Sequence, residues 1–207
     1  MVLLETAVTK LLGVEHPVVM GGMTGTGTPE LAAAVSNAGG LGVFAAHNAG
    51  SPEGAREWIR RMKTLTSKPF GVNLTILPTM GPPPPYEEYA QVIIEEGVKV
   101  VETAGSNPKK WIQLFKSAGL VTIHKCVAVR HALSAERAGV DIVSMDGFEV
   151  RSRPAPSTRL AGATRRAHPS ILFHSTPCPC LCLSLRLLLC YRTFTPARPV
   201  RGSPGRR

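Results

Sequence analysis

Short apolar segments alternate with helical patterns across residues 1–149, and this alternation restricts the possible folds more than any other feature of the sequence. Strands are predicted at 18–23, 41–46, 70–76, 98–103, 121–126 and 141–146. Helices are predicted between them at 29–37, 52–66, 86–96, 108–117 and 128–138. Strict strand–helix alternation predicts an α/β fold with a parallel sheet and right-handed crossovers. A doubly wound sheet and a barrel both fit this pattern.

Charge divides the chain into two segments. All 14 acidic residues precede residue 150, whereas residues 150–207 contain 11 arginines, no lysine and no acid. Such an abrupt change indicates two segments of different origin or role. We therefore expect a folded domain over 1–149 and an irregular, basic C-terminal tail over 150–207.

The tail admits several interpretations. An arginine-rich arm could bind nucleic acid, but its arginines are scattered among Pro and Ser without aromatic residues, so no nucleic-acid partner is expected. The apolar run 181–191 is about half the length of a membrane span and contains Arg186. Cys178, Cys180 and Cys182 lack a second ligand pair at a familiar metal-site spacing. The Ser, Leu, Pro, Cys and Phe codons of 170–195 are pyrimidine-rich, and we interpret the tail as translated non-coding sequence, from a retained intron or a gene-model error.

The cysteine content and the amino-terminal sequence bear on the cellular location of the protein. Residues 1–149 contain one cysteine, Cys126, which favours a reducing compartment over a disulfide framework. The amino terminus lacks the charged, apolar and cleavage regions of a signal peptide in series. We expect a cytoplasmic protein with no membrane segment.

Polar or glycine-rich residues occur at the predicted carboxyl ends of five strands. Each has a structural alternative: a tight turn for the Gly-rich stretch 20–27, a buried structural amide for Asn73, a solvated lysine for Lys125, and a loop-capping acid for Glu102 or Asp146. Functional residues of parallel barrels lie at this end of the strands, so the pattern predicts a site there. His124 should face the opposite side of strand five and be packed or hydrogen-bonded.

Several stretches resemble the nitronate monooxygenase (2-nitropropane dioxygenase) family of FMN-dependent (β/α)8 TIM barrels. They are PVVMGGMTGTGTPELAAAVSNAGGLG (17–42), KPFGVNLTILPT (68–79), EEGVKVVETAG (95–105), IHKCVAVRHALSAERAGVD (123–141) and SMDGFE (144–149). The combination is specific, whereas no single motif is. The resemblance implies a TIM barrel truncated after about six strands, without the last two units.

The resemblance also implies an activity and a set of site residues. Such enzymes oxidise small-molecule alkyl nitronates with O2, and the cofactor contacts carried over are Gly22, Met23, Asn73, Lys125 and Asp146. The family's catalytic His position is occupied by Arg153, which cannot act as a base because it stays protonated. We therefore expect impaired activity. A flavin enoyl-reductase and a non-catalytic fragment with a basic tail are the alternatives.

Overall fold

All six predicted strands pair in the order in which they occur along the chain. The structure is a computed structural model that describes residues 4–77 and 82–146 and the backbone of Arg186–Leu187. Neighbours among these six strands are all parallel. The strands are β1 Val18–Met20, β2 Leu41–Ala45, β3 Phe70–Ile76, β4 Val100–Gly105, β5 Val121–Cys126 and β6 Ile142–Met145.

Helices connect successive strands. They are α2 Pro29–Asn37, α3 Pro52–Leu65, α4 Tyr86–Glu95, α5 Lys109–Ser117 and α6 Val129–Arg137, preceded by α1 Ala7–Leu12. Right-handed crossovers in one direction place helices α2 to α6 on the same side of the sheet. A doubly wound sheet reverses its strand order and carries helices on both sides. The six strands therefore form a curled half-barrel, as the resemblance implies, with its helices on the convex side.

Two apolar layers stabilise the half-barrel. The larger lies between the sheet and its helices and includes Phe44, Val72, Ile93 and Phe115. The smaller lies on the concave side, where Val8, Leu12 and Val14 from α1 and the turn after it pack against strand residues. Those strand residues are Val19, Leu41, Val43, Val100, Ile123 and Ile142. Helix α1 thus covers the amino-terminal end of the concave face.

Helix α1 was not predicted from the sequence, because it is only six residues long. Thr6 caps it and exchanges hydrogen bonds with Thr9, and Gly13 ends it with a φ of 68°. Strand β1 is three residues shorter than predicted and gives way to a glycine-rich loop. Strand β2 ends at Ala45, one residue early, and a short 3₁₀ helix spans Ala46–Ala49.

Strand β1 has a second neighbour. Arg186–Leu187 forms a two-residue strand, β7, antiparallel to Val18 and Val19. The free backbone groups of an edge strand can pair with another extended segment in this way. The other tail interpretations, and the assignment of Arg153, fall outside the described residues.

The described helices bear on the question of a membrane-spanning segment. None of them is both long enough and apolar enough to cross a lipid bilayer.

Candidate functional site

The register of the sheet places the predicted polar residues on one face. Asn73 lies opposite Glu102 across β3 and β4, and Lys125 lies opposite Ala104 across β4 and β5. Alternate residues of a strand point to the same face, so Lys125 shares the face of Glu102, one pleat nearer the carboxyl end. Glu102 in turn lies opposite Ile123, a member of the concave apolar layer. The concave face therefore changes from apolar to polar towards the carboxyl ends of the strands.

Glu102 joins three strands. Its Oε2 atom accepts a hydrogen bond from the Gly22 backbone N–H at 2.9 Å and another from Asn73 Nδ2 at 2.7 Å. The side chain is 1% exposed, so the carboxylate depends on these donors rather than on solvent. Asn73 completes the arrangement by accepting a hydrogen bond from Thr75 Oγ1 at 2.7 Å. The two polar side chains hold the end of β1 against β3 and β4.

Gly22 must be glycine for a steric reason. A Cβ atom on it would lie 2.3 Å from the Cβ of Asn73, and one on the preceding Gly21 would lie 2.9 Å from Glu102 Oε1. The backbone can approach the polar pair this closely only without side chains. The side chain of Met23 packs instead towards the apolar layer beneath the helices. The Met23 side chain therefore does not face the concave side, and its backbone carbonyl accepts hydrogen bonds from Asn48 and from the Gly27 N–H.

Lys125 and Asp146 form the second part of the site. The Lys125 ammonium lies 3.8 Å from Asp146 Oδ2, and their side chains are 18% and 4% exposed. The Asp146 backbone N–H donates to the Cys126 carbonyl at 2.7 Å, which fixes the chain as it leaves β6. The cation is thus held near the surface of the polar region, where an anion could reach it.

Neighbouring titratable groups on the convex side are structural. His124 is buried, and its Nδ1 atom pairs with Thr103 Oγ1 at 2.9 Å, which confirms the prediction of a hydrogen-bonded histidine on the other face. Burial lowers the pKa of His124 to about 4. Burial, with the nearby charge of Asp146, raises the pKa of the Cys126 thiol to about 11. Neither group is charged at neutral pH, and neither faces the polar region.

Residues 21–27, which we call the glycine loop, connect β1 to α2 with the help of a residue that sequence reasoning missed. Asn48, in the 3₁₀ helix after β2, forms hydrogen bonds with three backbone groups of the loop. The sequence did carry a signal for it. His47 and Asn48 are a polar pair directly after the second strand, the one strand among six for which no candidate was named.

Comparison with known proteins reproduces this architecture. A family model described as nitronate monooxygenase matches residues 5–151. A half-barrel with this course is found in FabK from Thermotoga maritima, with 42% identity and a TM-score of 0.64 over 70% of this chain and 45% of that one. Nitroalkane oxidase from Streptomyces ansochromogenes has 26% identity and a TM-score of 0.62 over 76% of this chain and 54% of that one.

Curated relatives carry two kinds of name. A probable nitronate monooxygenase of Staphylococcus saprophyticus is 31% identical over 70% of this chain and 50% of its own length. An octahydroindene-carboxyl-CoA dehydrogenase of Rhodococcus jostii is 36% identical over 82% of this chain and 45% of its own length. The chain thus spans about half the length of the curated relatives it matches.

The family match and the structure agree on the same part of the chain. The matched residues begin before α1 and include all six parallel strands, together with Gly22, Asn73, Lys125 and Asp146. These residues make up the half-barrel and the polar end of its concave face. The chain therefore belongs to the nitronate monooxygenase family, a family of oxidoreductase enzymes.

Proposed function

We propose that the half-barrel is the cofactor-binding part of an FMN-dependent enzyme that oxidises small alkyl nitronates with O2. The observation that carries the proposal is the polar carboxyl end of the concave face, where the glycine loop and Lys125 lie above an apolar layer. An aromatic cofactor with an anionic edge needs a close backbone approach and a nearby cation.

The described residues fit the ring system of FMN, whereas its phosphate would need other loops. Gly22 lies directly against Asn73, where even a Cβ atom would collide, and this close packing places the glycine loop at the polar end of the concave face. Lys125 supplies positive charge within reach of the same face, and Asp146 lies beside it. Phosphate is usually held by the loops after strands seven and eight of a barrel, and β6 is the last of the parallel strands in the described part of the chain.

Each residue has a distinct role in this proposal. Lys125 would attract the anionic nitronate or the anionic edge of the reduced cofactor, and Asp146 would orient the lysine. Glu102 would hold the loop backbone and Asn73 in place rather than contact the substrate, because its Oε2 atom already accepts two hydrogen bonds. Bound FMN would supply the electron acceptor for nitronate oxidation and return the electrons to O2.

FMN binding tests the proposal directly. The purified 207-residue chain is titrated into FMN and the quenching of flavin fluorescence is recorded, for the wild type and for Lys125→Met. The matched control is Lys99→Met, because Lys99 is exposed and precedes β4 at the opposite end of the sheet. We expect Lys125→Met to weaken binding about tenfold, the loss of one partly buried charge contact, and Lys99→Met to leave it unchanged. Equal effects of the two substitutions would refute the assignment.

A second candidate function comes from the names of the relatives. The Rhodococcus jostii relative matches a larger share of this chain than the nitronate monooxygenases do and is named a dehydrogenase. An enoyl reductase domain of MlnA shares the fold at 19% identity. A flavin reductase or dehydrogenase would require a nicotinamide or acyl-CoA partner. Oxidation of NADH or NADPH without a nitronate would favour this second function.

A further inference from the structure

The glycine loop has little intrinsic rigidity. Four of its seven residues are glycine, and its central residues, Thr24 to Thr26, are exposed. Gly25 adopts a φ of 81°, which other residues rarely adopt. Glycine loses more conformational freedom on folding than any other residue, so a single loop conformation has to be imposed by contacts from outside the loop.

Asn48 makes those contacts. Its Oδ1 atom accepts a hydrogen bond from the Gly25 N–H at 3.0 Å, and its Nδ2 atom donates to the carbonyls of Met23 at 2.9 Å and Gly27 at 3.2 Å. The amide therefore uses its acceptor and both of its donor hydrogens on one loop. A carboxylate could accept from Gly25 but could not donate to the two carbonyls, so the arrangement is specific for an amide.

The turn that carries Asn48 is itself anchored. The adjacent His47 pairs through Nε2 with the Thr75 carbonyl at 3.0 Å, and its ring packs edge-on against Tyr86 and Tyr89 at 5.5 and 4.8 Å. Contacts from β3 and α4 thus fix the 3₁₀ helix, and Asn48 transmits that fixed position to the glycine loop. Glu102 secures the start of the same loop at Gly22.

We propose that Asn48 is a positioning residue that holds the glycine loop in the conformation in which it binds the cofactor. This inference rests on the proposed function for the identity of the ligand. Its effect on binding comes from preorganisation, because a loop that is already ordered loses less entropy when the ligand arrives. Asn48 acts through the loop, because its side-chain hydrogen bonds all go to the loop backbone at Met23, Gly25 and Gly27.

The test uses three variants of the full chain. Asn48→Ala removes all three hydrogen bonds, and Asn48→Asp keeps the acceptor for Gly25 while placing a negative charge beside two carbonyls. Asn37→Ala is the matched control: Asn37 also donates to a backbone carbonyl, that of Leu65, and accepts from Thr66, but it lies at the end of α2 away from the loop. Amide hydrogen exchange of residues 21–27 and of β4 is measured without ligand, and FMN affinity is measured by fluorescence.

We expect Asn48→Ala to speed exchange at Gly25 about tenfold, and both variants to speed exchange elsewhere in residues 21–27, while β4 keeps its protection, since hydrogen bonds that order an exposed loop are lost locally. FMN binding should weaken about three- to tenfold, with no change for Asn37→Ala. Unchanged loop exchange, or unchanged FMN affinity in a chain that binds FMN, overturns the inference. If the wild type binds no FMN, the proposed function fails for this chain, and loop exchange alone decides whether Asn48 positions the loop.

Discussion

Two donors depend on the Glu102 carboxylate, and truncation of this side chain is expected to be costly. Glu102→Ala leaves the Asn73 amide and the Gly22 N–H without their acceptor and opens a cavity, which should lower the free energy of unfolding by about 2–4 kcal/mol. Glu102→Gln keeps the shape, and its single amide oxygen can replace Oε2 for both donors. The glutamine should cost only about 1 kcal/mol, the difference between charged and neutral acceptors.

Urea denaturation of the two Glu102 variants measures these losses. Glu57→Ala is the control, because Glu57 is an exposed glutamate on α3. A glutamine variant as unstable as the alanine variant would show that charge, rather than hydrogen bonding to the loop, is what this site requires.

Individual site residues were predictable from the sequence to different degrees. Asn73 and Lys125 interrupt apolar strands, so their polarity alone marks them. In the structure the Asn73 side chain forms hydrogen bonds with Glu102 and Thr75. Asn48 could not be assigned, because its three partners are backbone groups that only the folded loop brings within reach.

At the scale of the element, α2 packs so closely on β2 that position 42 has no room for a side chain. A Cβ atom on Gly42 would lie 1.9 Å from the carbonyl oxygen of Ala32, and helix backbone cannot move as a side chain can. Gly42→Ala should therefore lower the free energy of unfolding by about 3 kcal/mol, the upper range for an overpacked core.

Gly71→Ala is the matched comparison, since its added Cβ would meet the Val43 methyl at 3.0 Å and that side chain can adjust. Thermal unfolding monitored by circular dichroism ranks the two variants. Equal melting temperatures would mean that α2 can shift away from the sheet.

Helices α3 and α4 are joined by an ion-pair network centred on Glu96. Arg56, Arg60 and Lys63 lie 3.3, 2.9 and 3.0 Å from its carboxylate. Burial raises the pKa of Glu96, but hydrogen bonds from these three residues outweigh it and lower the pKa to about 2. Because the folded-state pKa lies below the usual value of 4.5, the stabilisation is complete above that value and is lost as the pH falls towards 2.

Glu96→Gln should therefore reduce stability at pH 7 by about 1 kcal/mol, a value discounted for solvent screening of exposed pairs. The difference from wild type should shrink between pH 5 and about 2, where protonation removes the same charge from the wild type. Urea denaturation at several pH values measures this, with Glu57→Gln as the control. A difference that stays constant across this range would contradict the ion-pair explanation.

Most elements could be predicted because their signals are local. Proline after Thr28 and Ser51 marks two helix starts, and the structure confirms both caps. The ends of β1 and β2 could not be placed, since Glu102 and Thr75, which hold the segments beyond them at Gly22 and His47, lie far away in sequence. At α5 the N-cap residue is Pro108, and the side chain of the preceding Asn107 accepts a hydrogen bond from the Lys109 N–H at the start of the helix.

For the whole molecule, local sequence patterns could not distinguish a barrel from a doubly wound sheet. Both arise from the same alternation, and only the order in which strands pair separates them. The resemblance implied a barrel, and the pairing order confirms it. The boundary near residue 150 was predicted from charge alone, because acidic residues stop at Glu149 and arginine is the only charged residue type after it.

The 207-residue chain is expected to turn over nitronates slowly even if it binds FMN. Arg153 stands where the resemblance places the catalytic histidine, and a missing acid–base group costs about 100- to 10,000-fold in rate. Oxygen consumption with an alkyl nitronate and added FMN measures this, and Arg153→His is the informative variant. Rapid turnover by the wild type would show that the histidine assignment is wrong.

The strictly sequential pairing of the strands also has a consequence for synthesis. Each strand from β2 to β6 finds its partner in the strand made just before it, as Leu41 does with Val19 and Ile142 with Ile123. The ribosome synthesises the chain from its amino terminus, so each new strand can pair with a strand that has already been made. Strand pairing in the half-barrel can therefore proceed during translation, one unit at a time, whereas the glycine loop gains its contact with Glu102 only after β4 has been made.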